Sequence, residues 1–126
     1  MAAAKQDIYI EQGATCPVSF RLKKNGNAID LTGWTFKGRV RKSPEENAVE
    51  AAFDFVVRDQ EVPADLGIVD GEITPENTAA IHVLKSNVPG AREITKMIYD
   101  IYAVSPSGRS YRILEGAANV SPEVTK

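Results

Sequence analysis

Residues 18–27 read Val-Ser-Phe-Arg-Leu-Lys-Lys-Asn-Gly-Asn, and this stretch is the clearest local signal of fold class in the chain. Its apolar side chains at the first, third and fifth positions alternate with polar ones, which is the period of a strand with one buried face. The Asn25-Gly26 pair that follows favours a β-hairpin, because both central turn positions need a positive φ, which Asn and Gly tolerate best. The stretch therefore predicts a strand that turns back on itself.

The same two-residue period continues outward through short runs that turn residues separate. Residues 34–41 alternate apolar with basic side chains, and residues 51–57 carry Phe and Val at every second position. Residues 96–104 form the longest apolar run, and the turn at 105–108 predicts a hairpin with a last strand at 111–120. Regular turns between short strands are typical of an all-β fold, so we expect an antiparallel β-sandwich of seven or eight strands.

The remaining segments carry weaker signals. A short strand is expected near residues 68–73 and another over 80–85, and Thr74-Pro75 predicts either a turn or a helix start with Thr as the N-cap. The inward phase of residues 96–104 stays open, because both faces are largely apolar, which suggests a central strand or an outward face covered by a partner. The expected core contains Ile8, Ile10, Val18, Phe20, Leu22, Trp34, Phe36, Val40, Phe53, Phe55, Ile81, Val83, Ile101 and Ile113.

Length and composition bound the class of protein. The 126 residues, 43% of them hydrophobic and 25% charged, predict one globular domain over 1–126 with short, loose termini. A net charge of −2 argues against a nucleic-acid binder, and no apolar window is long enough to predict a membrane span. No signal peptide is visible at the N-terminus, and the single Cys16 predicts a small buried side chain made in a reducing compartment.

Residues that could carry chemistry are scarce. The lone His82 alternates with apolar neighbours and is expected to point outward, and one His with one Cys does not make a zinc site. The acidic pairs are expected to be solvated surface, and a loose calcium site from Asp65, Asp70 and Glu72 lacks the EF-hand pattern. We therefore expect no enzymatic activity, no metal and no cofactor.

A basic surface is the most informative charge pattern. Five cations alternate out of phase with the predicted core, and they would share one outer face if their strands were neighbours: Arg21, Lys23, Lys37, Arg39 and Arg41. Such a face could dock an acidic protein or a polyanion. The alternative is an ordinary solvated sheet face, partly neutralised by acidic residues such as Glu50 and Asp54.

Several segments together carry a family resemblance. They are Ile8-Tyr9-Ile10-Glu11-Gln12-Gly13, Ile29-Asp30-Leu31-Thr32-Gly33, Tyr99-Asp100 and Leu114-Glu115-Gly116 before a terminal Val-Thr. The chain thereby resembles small virion proteins of tailed bacteriophages and the N-terminal immunoglobulin-like module of the phage baseplate upper protein family. The resemblance implies an immunoglobulin-like β-sandwich without catalytic residues.

The matching residues have structural tasks. Asp30 and Gly33 would make a turn, Tyr99 would bury its ring and bond through its hydroxyl, and Asp100 would need partners if it faced inward. Gly116 would allow a bulge or the close approach of another backbone.

The resemblance also implies a function and a location. It implies a structural tail or baseplate adaptor, made in the host cytoplasm and built into the virion as symmetric copies that dock other virion proteins. Members of that family can be longer, and no fibre or receptor-binding domain is expected after Lys126. The alternatives are a capsid head-decoration protein and a carbohydrate-binding module, with Tyr9, Tyr102 and Tyr111 as candidate sugar platforms.

Overall fold

The computed structural model describes residues 4–43, 49–81 and 94–122, and these parts of the chain are almost entirely β-structure. One short helix, α1, spans Pro75–Ala79. The strands are β1 (Ala4–Lys5), β2 (Ile8–Glu11), β3 (Cys16–Arg21), β4 (Lys23–Lys24), β5 (Asn27–Ala28), β6 (Thr35–Arg41), β7 (Ala51–Ala52), β8 (Asp54–Val57), β9 (Ile68–Ile73), β10 (Thr95–Val104) and β11 (Ser110–Ser121).

The larger sheet, sheet A, is built around the long hairpin β10–β11. Its order is β1-β11-β10-β6-β7, and β2 also pairs with β11. Strands β1 and β2 run parallel to β11, whereas the other pairs are antiparallel. The N–H of Gln6 donates to the Glu115 carbonyl between β1 and β2, so these two strands act as one interrupted edge strand.

The second sheet, sheet B, has the order β3-β9-β8 with antiparallel pairs. Counting β1 and β2 as one, the two sheets contain eight strands within the described residues, beside the small β4–β5 hairpin. Strands β11, β10, β6 and β7 follow the G-F-C-C′ order of an immunoglobulin variable-type sheet, and β3, β9 and β8 follow its B-E-D order. The predicted immunoglobulin-like β-sandwich is confirmed.

Aromatic rings join the two sheets. Phe20 of β3 meets Phe36 of β6 edge to face, with ring centroids 5.9 Å apart, and Phe55 of β8 contacts both of these rings. Phe53 stacks on Phe55 at 5.9 Å and contacts Tyr99 of β10. Most residues of the expected core are either buried or partly buried and packed against the buried residues. The burial of Tyr99 was expected, whereas the expected core did not include Leu31, Ala51, Val69, Ile73, Met97, Ala103, Ala118 and Val120.

Strand β10 settles the phase that its sequence left open. Met97, Tyr99, Ile101 and Ala103 face the core, and the residues between them face outward. The strand lies between β6 and β11, as expected of a central strand. Its outward side chains are half-buried, because neighbouring strands flank it on both sides.

Local turn signals were read correctly. Asn25 and Gly26 have φ of 53° and 81°, and they join β4 to β5 as predicted. Thr74 caps α1, with its hydroxyl accepting from the N–H of Asn77 at 3.3 Å. Strand β9 has the bounds expected for it.

Two expected strands differ in the structure. The strand over 51–57 is broken at Phe53, because the chain crosses there from sheet A to sheet B and the Phe53 N–H donates to the Gly38 carbonyl. The strand expected over 80–85 does not begin at Ala80, which instead forms the C-cap of α1. The rest of that strand, with His82 and Val83, lies outside the described residues.

Candidate interaction face

The five predicted cations do not form one surface. Arg21 lies on β3 of sheet B and Lys23 on the β4–β5 hairpin, whereas Lys37, Arg39 and Arg41 lie on β6 of sheet A. Adjacent runs in the sequence were assumed to be neighbouring strands, but a sandwich sends β3 and β6 to opposite sheets. The expectation of a single five-residue face was therefore wrong.

Arg21 has a structural task of its own. Its guanidinium donates to the carbonyls of Leu66 and Ala64, each at 2.9 Å, and to that of Pro63 at 3.3 Å. These bonds hold the loop that leads into β9. Arg21 thus satisfies backbone acceptors of its own chain.

The outer surface of sheet A is nevertheless basic, with a different membership. Two connected grooves of about 210 Å³ and 470 Å³ cross β6, β10 and β11. We call this surface the basic face and define it by Tyr102 and the charged residues that line the grooves: Lys5, Lys37, Arg39, Arg41, Asp100, Arg112 and Glu115. It combines five cations with two carboxylates.

Strand register fixes how the charges on β6 meet those on β10. Arg39 lies directly opposite Asp100, and Lys37 lies opposite Tyr102. Within the described residues, neither Lys37 nor Arg39 forms an ion pair. The Nε of Arg41 is buried without a hydrogen-bond partner there. The β6 side of the basic face therefore has donors that the described parts of the chain do not satisfy.

The β11 side is more ordered. The Arg112 guanidinium donates to the Tyr102 hydroxyl at 2.7 and 3.0 Å, and its carbon lies 5.3 Å from the centre of the Tyr102 ring. It also pairs with Glu115 at 3.2 Å. The hydrogen bond that Arg112 donates to Tyr102 is the main cause of the raised pKa of Arg112. Arg112 is held as a fixed cation beside the groove.

The outer surface of sheet B has the opposite character. Its groove of about 580 Å³ is lined by Pro17, Val18, Ser19, Asp54, Val56, Asp70, Gly71 and Glu72. We call this surface the acidic face. Asp54 lies directly opposite Glu72 in the β8–β9 register, a like-charge pairing that destabilises a sheet. Val56, which is 68% exposed, lies next to these carboxylates.

Asp70 is the neutralised member of the acidic face. It accepts from the Arg58 guanidinium at 2.7 and 3.0 Å and from the Ser19 hydroxyl at 2.9 Å. These bonds, with that from Arg58 the largest cause, lower its pKa. Arg58 also pairs with Asp65 at 3.4 Å. Two of the three acids of the possible calcium site, Asp65 and Asp70, thus pair with Arg58, and no group of three potential ligands occurs in the described residues.

The residues given structural tasks have the expected environments. The Asp30 carboxylate accepts from the Thr32 N–H at 3.0 Å and the Thr32 hydroxyl at 2.7 Å, which lowers its pKa, and Gly33 has a φ of 84°. Tyr99 is 2% exposed and its hydroxyl donates to the Gln6 carbonyl. At Gly116, a β-carbon would overlap that same carbonyl. Asp100 faces outward on the basic face, so it has no inward task.

The chemistry-bearing and aromatic side chains also have definite positions. Cys16 is buried, and burial raises the pKa of its thiol, which opposes reactivity. Among the candidate sugar platforms, Tyr9 is 73% exposed, Tyr102 is covered by Arg112, and Tyr111 packs on Trp34 with ring centroids 6.1 Å apart. Only Tyr9 of these three offers an open ring.

Lys5 and Arg112 were missed as members of the basic face. Lys5 belongs to the basic face because β1 pairs in parallel with β11, which places Lys5 opposite Glu115. Arg112 joins through the β10–β11 hairpin, where the register shifts between Ile101 and Tyr102. The hairpin itself was predicted, so its outward Arg112 was within reach of the sequence pattern, whereas the position of Lys5 depends on a long-range pairing.

Comparisons with known proteins find likeness among solved structures alone. No protein-family model matches the chain, and no curated protein matches it. A solved structure of murine CRIg matches with a TM-score of 0.36 and 11% identity, covering 94% of this chain and 92% of that one. The fold assignment rests on the strand order, to which so low a score adds nothing. In the described parts of the chain, no helix has the length and apolar character needed to cross a bilayer.

Proposed function

We propose that this protein is a structural component of a tailed-bacteriophage virion, a tail or baseplate adaptor that works by protein–protein contact and not by catalysis. The sequence resemblance supplies the virion setting. The observation that carries the mode of action is the basic face, because its exposed Lys37 and Arg39 form no ion pair among the described residues. Such a surface is suited to a partner that brings carboxylates.

The arrangement favours docking over small-molecule chemistry. The grooves lie across the outer surfaces of sheet A and sheet B, and Arg112 is held by its bonds to Tyr102 before any partner binds. A preorganised charge on a rigid strand costs little to order at an interface. Symmetric copies in a particle would add many such modest contacts together.

Mass spectrometry of purified virions tests the proposal. We expect the chain in particles in a fixed ratio to the other tail or baseplate proteins. Its absence from particles would overturn the virion assignment, and its presence only in isolated heads would favour the head-decoration alternative.

A paired variant tests the mode of action in the same assay. Lys37→Gln/Arg39→Gln should lower incorporation into particles, while Lys23→Gln/Lys24→Gln, which removes two cations from the β4–β5 hairpin, should leave it unchanged. Equal incorporation of the two variants would contradict the assignment of the basic face.

One observation keeps the carbohydrate-binding alternative testable. Tyr9 is an exposed aromatic ring next to Glu11 on β2, where a sugar could stack. Glycan-array binding that Tyr9→Ala abolishes would favour that alternative over a purely structural role, and the adaptor proposal predicts no such binding.

A further inference from the structure

We propose that the partner of the basic face is the acidic face of another copy of this chain, so that copies associate head to tail. This inference deepens the proposed function and rests on it, because it names the partner of the docking surface. One domain carries both a basic face and an acidic face, and these two surfaces are complementary in charge.

The two faces lie on opposite sides of the sandwich. Each consists of side chains that alternate out of phase with the core, on the outer surface of a different sheet: Lys37 and Arg39 on sheet A, and Asp54 and Glu72 on sheet B. Since the inner surfaces of the sheets pack together, the outer surfaces point away from each other. A copy cannot join its own two faces, but neighbouring copies can.

Each face carries exposed charges without an ion-pair partner among the described residues, and the two sets have opposite signs. Arg39 and Lys37 form no ion pair within the described residues, and Asp54 and Glu72 form none there either. In addition, Asp54 and Glu72 sit opposite each other in register, so each copy alone bears their repulsion. A cation brought between them by another copy would relieve that repulsion and would itself gain a partner.

The acidic face also offers apolar side chains for contact. Val56 is 68% exposed and Pro17 borders the same groove of about 580 Å³. On the basic face, Tyr102 and Ile98 line the larger groove. Apolar residues surrounded by complementary charges are the usual composition of a specific interface.

The symmetry of such a contact has a definite consequence. Because the two faces differ, the contact is heterologous, and it closes into a ring or extends as an open filament according to the rotation between neighbours. A contact between two basic faces would instead stop at a dimer. The two arrangements therefore predict different behaviour for variants that have lost one face.

Analytical ultracentrifugation of the purified full chain tests the inference. At about 20 mM salt we expect concentration-dependent association beyond a dimer, and at about 0.5 M salt a dissociation constant at least roughly tenfold higher, because salt screens the exposed charges. Lys23→Gln/Lys24→Gln serves as the matched control and should associate like the wild type.

Two variants then separate the faces. Lys37→Gln/Arg39→Gln and Asp54→Asn/Glu72→Gln should each be monomeric alone, and their equimolar mixture should form a one-to-one dimer, because each supplies one intact face. Far-ultraviolet circular dichroism establishes that both variants are folded. Self-association of Asp54→Asn/Glu72→Gln alone would overturn the head-to-tail arrangement, and a wild-type chain that stays monomeric at high concentration and low salt would overturn the inference itself.

The outcome is independent of the virion assignment. A chain found in virions but monomeric in solution would retain the proposed function and lose this inference. A chain that associates head to tail but is absent from virions would lose the virion assignment and retain the copy-to-copy contact.

Discussion

Tyr99 and Gly116 act on one atom, the carbonyl oxygen of Gln6 between β1 and β2. Tyr99 reaches it from β10 through its hydroxyl, and Gly116 of β11 leaves the space that it occupies. The Asp7 carboxylate adds a bond from the Ala117 N–H at 3.0 Å. Three residues distant in sequence thus fix the N-terminal edge strand, and with it the place of Lys5 on the basic face.

Gly116→Ala should be strongly destabilising, because its β-carbon would overlap the Gln6 carbonyl, and a shift of Gln6 would disturb its bonds to Tyr99 and Glu115. We expect a loss of about 2–3 kcal/mol in the free energy of unfolding, measured by urea denaturation. Gly26→Ala is the comparison, since nothing lies within 4 Å of the position that its β-carbon would take. A Gly116→Ala variant as stable as the wild type would contradict the close approach.

Tyr99 should also give the protein a dependence on alkaline pH. Burial raises its pKa from 10.0 to about 12, so between these values the folded state keeps a proton that the unfolded state has lost. The stabilisation from this group is present in full below pH 10 and is lost as the pH rises toward 12.

The measurement is the free energy of unfolding of wild type and Tyr99→Phe across that pH range. The variant should lose roughly 1 kcal/mol at neutral pH, from the missing hydrogen bond, and the difference should shrink as the pH rises. Tyr9→Phe, at an exposed position, should match the wild type throughout. A difference that stays constant with pH would argue against the buried, hydrogen-bonded hydroxyl.

At the scale of elements, the β4–β5 hairpin depends on backbone conformation and not on packing. Gly26 has a φ of 81° and nothing lies within 4 Å of where its β-carbon would be. Gly26→Ala should therefore cost about 1 kcal/mol by thermal or urea unfolding, the cost of the left-handed conformation alone. Asn25→Gly, at the other positive-φ position, should cost less, and the opposite order would contradict the turn geometry.

The aromatic contacts between sheets form the other element-scale device. The Phe55 ring contacts Phe20 of β3, Phe36 of β6 and the nearby Phe53. It therefore joins the two sheets. Phe55→Ala should lower the free energy of unfolding by about 3 kcal/mol, and Phe55→Leu by clearly less, because it refills most of the volume. Calorimetry of the two variants measures this difference. Equally small losses in the free energy of unfolding would show that the Phe55 ring contributes little to the packing between the sheets.

At the scale of the whole molecule, local and non-local features differ in how far the sequence predicts them. The hairpin at Asn25-Gly26 and the Thr74 cap depend on neighbouring residues, and both were predicted. The five-cation face failed because it needed to know which strands become neighbours, which alternation alone does not say. Arg21 and Arg39 have similar local patterns but occupy different sheets.

The net charge of the chain does not reveal how its charges are distributed over the surface. A net charge of −2 averages a basic face on sheet A with an acidic face on sheet B. The separation is a consequence of the sandwich, since each sheet has only one surface toward solvent. It is this polarity across the domain that favours association in one direction over non-specific binding.

Lysine cross-linking of intact virions followed by mass spectrometry tests the central claim most directly. The basic face carries Lys5 and Lys37, and the β4–β5 hairpin carries Lys23 and Lys24 as an internal control. The account predicts that cross-links from this chain to other subunits or other virion proteins involve Lys5 and Lys37 in preference to Lys23 and Lys24. Cross-links confined to the hairpin lysines, or particles without the chain, would contradict it.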